Sequence, residues 1–204
     1  MIPRRIVFAG SSSIHGRGDP EFGGFVHRFR LWHEARSPRH FVYGLGIFGE
    51  STASLMARIG AEARARRPHL IVLYPGFNDI RRDGGRDRPK ASSLEAFAGA
   101  MTSLVTELTA IAPLMVMTGF PFDESRTCPF HGSESFYLSA DAERYTQRLR
   151  SVCVQAQVPV LDYYSLWSSI SLDGLLAEDG LHANPAGHRL LFEQLRDDML
   201  DRYG

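Results

Sequence analysis

The sequence predicts an α/β protein in which helices cover both faces of a mainly parallel, five-stranded sheet. Three observations lead to that class. Short apolar runs of strand type alternate with longer stretches of helical periodicity, and the connections between them are mostly brief. Most of the apolar runs also lack the polar alternation of a half-exposed strand.

The strand-type runs are Ile6–Ala9, Phe41–Leu45, Leu70–Tyr74, Leu114–Thr118 and Val158–Leu161. Helical patterns fall between them at Phe25–Ala35, Thr52–Arg66, Leu94–Ile111 and Ala140–Ala156, and a last helix is expected over about Pro185–Arg202. Its start is well marked. Asn184 can accept backbone N–H bonds as N-cap, and Pro185 suits the first helical position because its missing N–H is not needed there. Ser93 before Leu94-Glu95 reads the same way. The regular alternation predicts a flavodoxin-like three-layer α/β/α sandwich, and in such sheets ligands bind at the carboxyl ends of the strands.

Two segments stand outside this scheme. Arg81–Lys90 is charged and contains two glycines, and it is expected to be a solvated, mobile surface loop. Phe120–Leu138 is long and rich in aromatic residues, and long loops in compact domains are often functional. No repeat or linker suggests a second domain, so residues 1–204 are expected to form one unit.

Composition narrows the function classes. Lys plus Arg (23) equals Asp plus Glu (23), so there is no basic excess to suggest a nucleic-acid partner. Cys128 and Cys153 are too few for a disulfide framework and lack zinc-like spacing with histidine, so both are expected as free thiols. The first apolar run is too short for a signal core or a membrane span, which points to a cytoplasmic protein.

Candidate chemistry gathers after the strands. The first run ends in Gly10-Ser11-Ser12-Ser13-Ile14-His15-Gly16, a small-residue turn that can expose a hydroxyl and backbone N–H groups. Alone, such a turn equally suits a phosphate cradle or an ordinary loop. The second run leads through Gly46-Ile47-Phe48-Gly49-Glu50-Ser51, where Gly49 can present its N–H with no side chain in the way. The third ends in Gly76-Phe77-Asn78-Asp79, whose amide can donate to an oxyanion or form an Asx-turn. Near the C-terminus, Asp179-Gly180-Leu181-His182 can supply in one tight turn a base and the carboxylate that orients it, as serine nucleophiles require, but alone such a pair more readily reads as ordinary polar residues on the surface. His15, His131 and His188 are weaker candidates: His15 and His131 for substrate contact, His188 for packing or solvent.

In this order the motifs resemble the four conserved blocks of the SGNH (GDSL-like) hydrolases, over essentially the whole chain. Gly76-Phe77-Asn78-Asp79 matches the third block unchanged, and Asp179-Gly180-Leu181-His182 followed by Asn184-Pro185 is close to the last block's commonest form. Gly10-Ser11-Ser12 stands for Gly-Asp-Ser, with Gly16 four residues beyond the nucleophile, and Gly49 is the loosest match. The resemblance implies Ser12 as nucleophile, with His182 and Asp179 completing a triad. It likewise implies an oxyanion hole from the Ser12 and Gly49 N–H groups and the Asn78 amide. One departure matters: Ser11 replaces the usual aspartate, which makes Ser11 and Ser13 rival nucleophiles. Gly-x-Ser-x-Gly is absent in the elbow context of an α/β-hydrolase. The implied activity is hydrolysis of a carboxylic ester of a small molecule or glycoside, with no cofactor and no metal. O-deacetylation of carbohydrate, thioester hydrolysis, acyl transfer and a non-catalytic ligand-binding domain stand as alternatives.

Overall fold

A computed structural model describes residues 2–204. Its first half runs β1 (Arg5–Gly10), α1 (Ser12–His15), α2 (Gly24–Glu34), β2 (Phe41–Gly46), α3 (Thr52–Arg66), β3 (Leu70–Tyr74), a 3-10 turn at Asn78–Ile80 and β4 (Arg82–Asp83). The second half runs α4 (Leu94–Thr109), β5 (Leu114–Met117), α5 (Glu124–Thr127), β6 (Ser135–Phe136), α6 (Ser139–Gln155), β7 (Val160–Leu161), α7 (Tyr163–Ser168) and α8 (Pro185–Tyr203).

The main sheet has the order β2-β1-β3-β5-β7, and every pairing in it is parallel. With the short β4 and β6 set aside, this is the 2-1-3-4-5 order of the flavodoxin-like class. Side chains alternate across the sheet. Ile6 and Phe8 enter a core beneath α2 and α8, while Val7 and Ala9 enter the opposite core beneath α3, α4 and α6. Burial on both faces is why β1 and β3 read as unbroken apolar runs. The edge strand β2 differs, for Phe41 is 43% exposed: an outer strand has a neighbour on one side only.

The expected helix starts form as read. Asn184 Oδ1 accepts from the Gly187 N–H at 2.9 Å, with Pro185 in the first turn of α8. Ser93 Oγ accepts from the Ala96 N–H at 3.1 Å. The short helices α1, α5 and α7 have too few residues for a periodic signal and went unpredicted.

The two segments outside the alternation meet each other. β4 pairs antiparallel with β6, Arg82 opposite Phe136 and Asp83 opposite Ser135. Arg81–Lys90 is therefore anchored near both ends, while Asp83, Gly84 and residues 86–89 are exposed as expected of a surface segment. Arg82 donates to the buried Asp141 carboxylate from Nε at 3.0 Å and Nη2 at 2.6 Å, and Lys90 Nζ reaches the same group at 3.3 Å. Two charges that looked solvated in the sequence, Arg82 and Lys90, pin the ribbon to α6.

Candidate active site

Chain reversal in the sheet fixes where a cleft can open. From β1 the chain crosses to β2 on one side and returns to β3 on the other, so connections diverge above the carboxyl ends of β1 and β3. Ser12 follows β1 and Asn78 follows β3, one on each side of that point. The loop before α8 brings Asp179 and His182 over it. That loop is closed by the Ala177 N–H on the His182 carbonyl at 2.8 Å and by a bridge between Leu176 and Ala183. It is clamped from the β5 side, where the Asp123 N–H donates to the Gly180 carbonyl at 2.9 Å and Arg126 Nη1 to the Ala177 carbonyl at 2.9 Å.

Three of the sequence-predicted residues form one hydrogen-bonded line. Ser12 Oγ lies 2.8 Å from His182 Nε2, and His182 Nδ1 lies 2.7 Å from Asp179 Oδ2. Asp179 Oδ1 also accepts from the Leu181 and His182 backbone N–H groups, both at 3.0 Å. Burial by itself would raise the Asp179 carboxyl, but the bonds from His182 and Leu181 outweigh it and hold the group well below the usual carboxylate range. An ionised carboxylate only accepts, so the neutral imidazole carries its proton on Nδ1 and offers Nε2 to the Ser12 hydroxyl. Among the three neighbouring serines, it is Ser12 Oγ that lies against the imidazole. Ser11 Oγ lies against the turn that follows β3, where a side chain at Gly76 (φ 75°) would meet it at 2.7 Å.

Asn78 and Gly49 belong to one arrangement. Asn78 Nδ2 donates to the Glu50 carbonyl at 3.0 Å, which leaves its second amide proton free. The turn that carries Gly49 and Glu50 is held by a buried ion pair of Glu50 with Arg58, whose Nη2 also donates to the Leu45 carbonyl at 3.0 Å. Gly49 has φ 70°, open space around it and an exposed position, and it is not among the residues that line the cleft. Asp79 secures the start of α3 by accepting from the Thr52 N–H at 2.9 Å and the Thr52 hydroxyl at 2.6 Å. It accepts from Ser92 Oγ at 2.6 Å as well.

The cleft between these groups has about 20 Å³ of free space, and its walls include Phe77, Phe120, Tyr137 and Leu181 beside Ser12, Asn78 and His182. The aromatic segment Phe120–Leu138 thus contributes both its ends to the wall. Phe130 adds an edge-on contact with His182, ring centres 6.3 Å apart. Sequence reasoning missed Arg17, whose Nε lies 3.6 Å from Asp179 Oδ2, because nothing local links residues so far apart in the chain.

The other histidines lie elsewhere. His188 is fully buried and faces no solvent: its Nδ1 accepts from the Phe25 N–H at 3.1 Å and its Nε2 donates to the Arg17 carbonyl at 2.8 Å. His15 is exposed and packs on Phe48 with ring centres 4.5 Å apart, and His131 is exposed on its loop. Among the described residues no group of His, Cys, Asp and Glu is arranged to hold a metal ion, and no helix is long and apolar enough to cross a membrane.

The GDSL-like lipase/acylhydrolase family matches residues 8–190, nearly the whole chain. The chain belongs to that family. It is accordingly an ester hydrolase of the GDSL type. Solved structures share its fold. A lipase/acylhydrolase from Enterococcus faecalis superposes with a TM-score of 0.75 at 22% identity, covering 98% of this chain and 96% of the other. An acetylxylan esterase from Geobacillus stearothermophilus gives a TM-score of 0.73 at 19% identity, covering 96% and 94%. A further acetyl xylan esterase gives 0.76 at 18% identity, covering 95% and 98%. No curated protein matches the chain in sequence.

Proposed function

We propose that the chain, acting as one domain, removes a short acyl group, acetyl above all, from an alcohol through Ser12, His182 and Asp179. The observation that carries this reading is the hydrogen-bonded line of those three residues opening into a cleft of about 20 Å³. A single water needs roughly 10–15 Å³ by the same measure, so the space beside Ser12 is narrow and suits a methyl-sized acyl tail.

In this mechanism His182 Nε2 takes the Ser12 proton as Oγ attacks the ester carbonyl, and the Asp179 carboxylate holds the imidazole and stabilises the imidazolium. The Ser12 N–H, first in α1 and unpartnered within the helix, joins the Gly49 N–H and the free Asn78 amide proton around the developing oxyanion. His182 then returns the proton to the leaving alcohol. Water, activated by the same imidazole, releases the acid from the acyl-enzyme. None of these steps calls for a metal or cofactor.

A carbohydrate hydroxyl is our preferred alcohol, since two of the structural neighbours are acetyl xylan esterases. Two free cysteines, one half-buried and one buried, suit a reducing compartment, and we favour the cytoplasm. A panel of p-nitrophenyl acetate, butyrate and octanoate, run beside acetylated xylo-oligosaccharides and an acetyl thioester, tests the reading. Acetate release from the first ester and from the sugar is expected to dominate. Faster turnover of octanoate or of the thioester would replace it.

A further inference from the structure

The amino ends of the strands form the pole of the sheet opposite the Ser12 cleft, and they gather positive charge that the zero net total hides. Arg4 and Arg5 open β1, Arg36 and Arg39 stand in the connection to β2, and Arg66 and Arg67 end α3 just before β3. Among the described residues none of the six forms an ion pair with a carboxylate, whereas Arg17, Arg82 and Arg126 near the other pole each do. Backbone bonds tie the three connections together. The Phe41 N–H donates to the Arg4 carbonyl and the His69 N–H to the Arg5 carbonyl, both at 2.8 Å, while Arg5 Nε donates to the Arg67 carbonyl at 2.6 Å. The field is felt locally: His69 is held below the ordinary histidine range, first by burial and then by the charges of Arg5 and Arg4.

Between these groups lies an open recess of about 550 Å³, lined by Arg5, Tyr43, Ala65, Arg66 and Arg67. Tyr43 belongs to the edge strand, so its ring forms one wall, with the Arg66 guanidinium 5.7 Å from the ring centre. Arg66 uses one nitrogen on the Glu62 carbonyl, at 2.7 Å, and the exposed Arg67 guanidinium makes no internal hydrogen bond among the described residues.

We propose that this recess is a second binding site, for a phosphate-type dianion carried on a small organic molecule. Arg66 and Arg67 take the phosphate oxygens, Arg5 adds its charge from a guanidinium already bonded through Nε to the Arg67 carbonyl and through Nη2 to His69 Nε2 at 3.0 Å, and the Tyr43 ring packs against the organic part. Guanidinium groups match phosphate oxygens with paired N–H bonds, and several unbalanced charges around one recess favour a dianion over a single carboxylate. A concave site bounded by a ring suits a small ligand, where a polymer would need a continuous basic stripe. Because the pole lies across the sheet from the cleft, the site is separate from the ester chemistry.

Isothermal titration of the full chain with inorganic phosphate, adenosine 5′-monophosphate and adenosine, with heparin as polyanion control, tests the site. Saturable binding of the monophosphate, tighter than phosphate and absent for adenosine, is expected. Arg67→Gln, at an exposed position, and separately Arg66→Gln are expected to weaken it by about tenfold or more. Hydrolysis of p-nitrophenyl acetate stays unchanged in both variants, so failure here is distinguishable from failure of the esterase reading. Absent monophosphate binding, binding indifferent to both substitutions, or binding of heparin alone would each overturn the proposal.

Discussion

The Asn78 side-chain amide donates to the Glu50 carbonyl at 3.0 Å, and through it the end of β3 is locked to the turn that carries Gly49. One proton of the amide is spent on this bond, and in the proposed mechanism the other faces the oxyanion. Asn78→Ala is therefore expected to lower kcat by roughly 10²–10³, with little change in KM, as loss of one oxyanion donor does when acylation limits the rate. Loss of the bond to Glu50 adds about 0.5–1.5 kcal/mol of destabilisation. Kinetics and melting temperature on the same variant separate these effects. A near-normal kcat with a lowered melting temperature would make Asn78 purely a turn residue.

Register at the serine turn is testable by covalent labelling. Ser12→Ala is expected to abolish reaction with an active-site serine phosphonate and leave the fold intact, while Ser11→Ala and Ser13→Ala retain it. The basis is the 2.8 Å separation of Ser12 Oγ and His182 Nε2. Labelling that survives in Ser12→Ala and disappears in a neighbour would reassign the nucleophile.

Acyl preference is expected to follow Tyr137. Its buried ring forms part of the cleft wall, and the Thr127 hydroxyl fixes its backbone by donating to the Tyr137 carbonyl at 2.9 Å. Tyr137→Ala should raise the butyrate-to-acetate ratio of kcat/KM by about tenfold or more, since each methylene accommodated in an apolar pocket is worth roughly 10–200-fold. An unchanged ratio across p-nitrophenyl esters would remove the segment from acyl selection.

Acid should weaken the fold for a reason independent of catalysis. His188 lies below the ordinary histidine range because of its burial, against opposing contributions from the Arg17 carbonyl and Asp19. The unfolded chain therefore takes the proton first. Stability is undiminished above the unfolded value, about 6.5, and is lost as pH falls from there toward the folded value. Asp179, depressed in the fold, adds a further loss once pH drops below about 4. His188→Gln is expected to melt lower than the wild type at pH 8 but to lose less between pH 8 and 5. Its acid limb in kcat/KM should match the wild type, because the base in the proposed mechanism is His182 and not His188. A wild-type slope in the variant's melting curve would assign the acid sensitivity to other groups, of which the buried His33, also lowered by burial, is the first to examine.

Much of the fold and most of the candidate site can be read directly from local patterns. Continuous apolar runs such as Leu70–Tyr74 reveal strands buried on both faces, and Asn184-Pro185 marks a helix start through chemistry confined to a few residues. Asp179 and His182 share one tight turn and their hydrogen bond spans three positions, but the pair is legible only through its place in the order of the four family blocks. What tertiary structure alone decided is every relationship between distant segments. Ser12 Oγ, already the hydroxyl that the block resemblance implies, meets an imidazole 170 positions away, and β4 finds β6 across a stretch that looked like solvated loop. The charges of Arg81–Lys90 carried no sign that a buried Asp141 awaited them. Composition likewise reports a balanced chain, yet the fold sends to one pole arginines that form no ion pair among the described residues. Local sequence encodes dihedral preference and face, both properties of neighbours along the chain. Which charge meets which partner depends on sheet order, and that order exists only once the strands have packed.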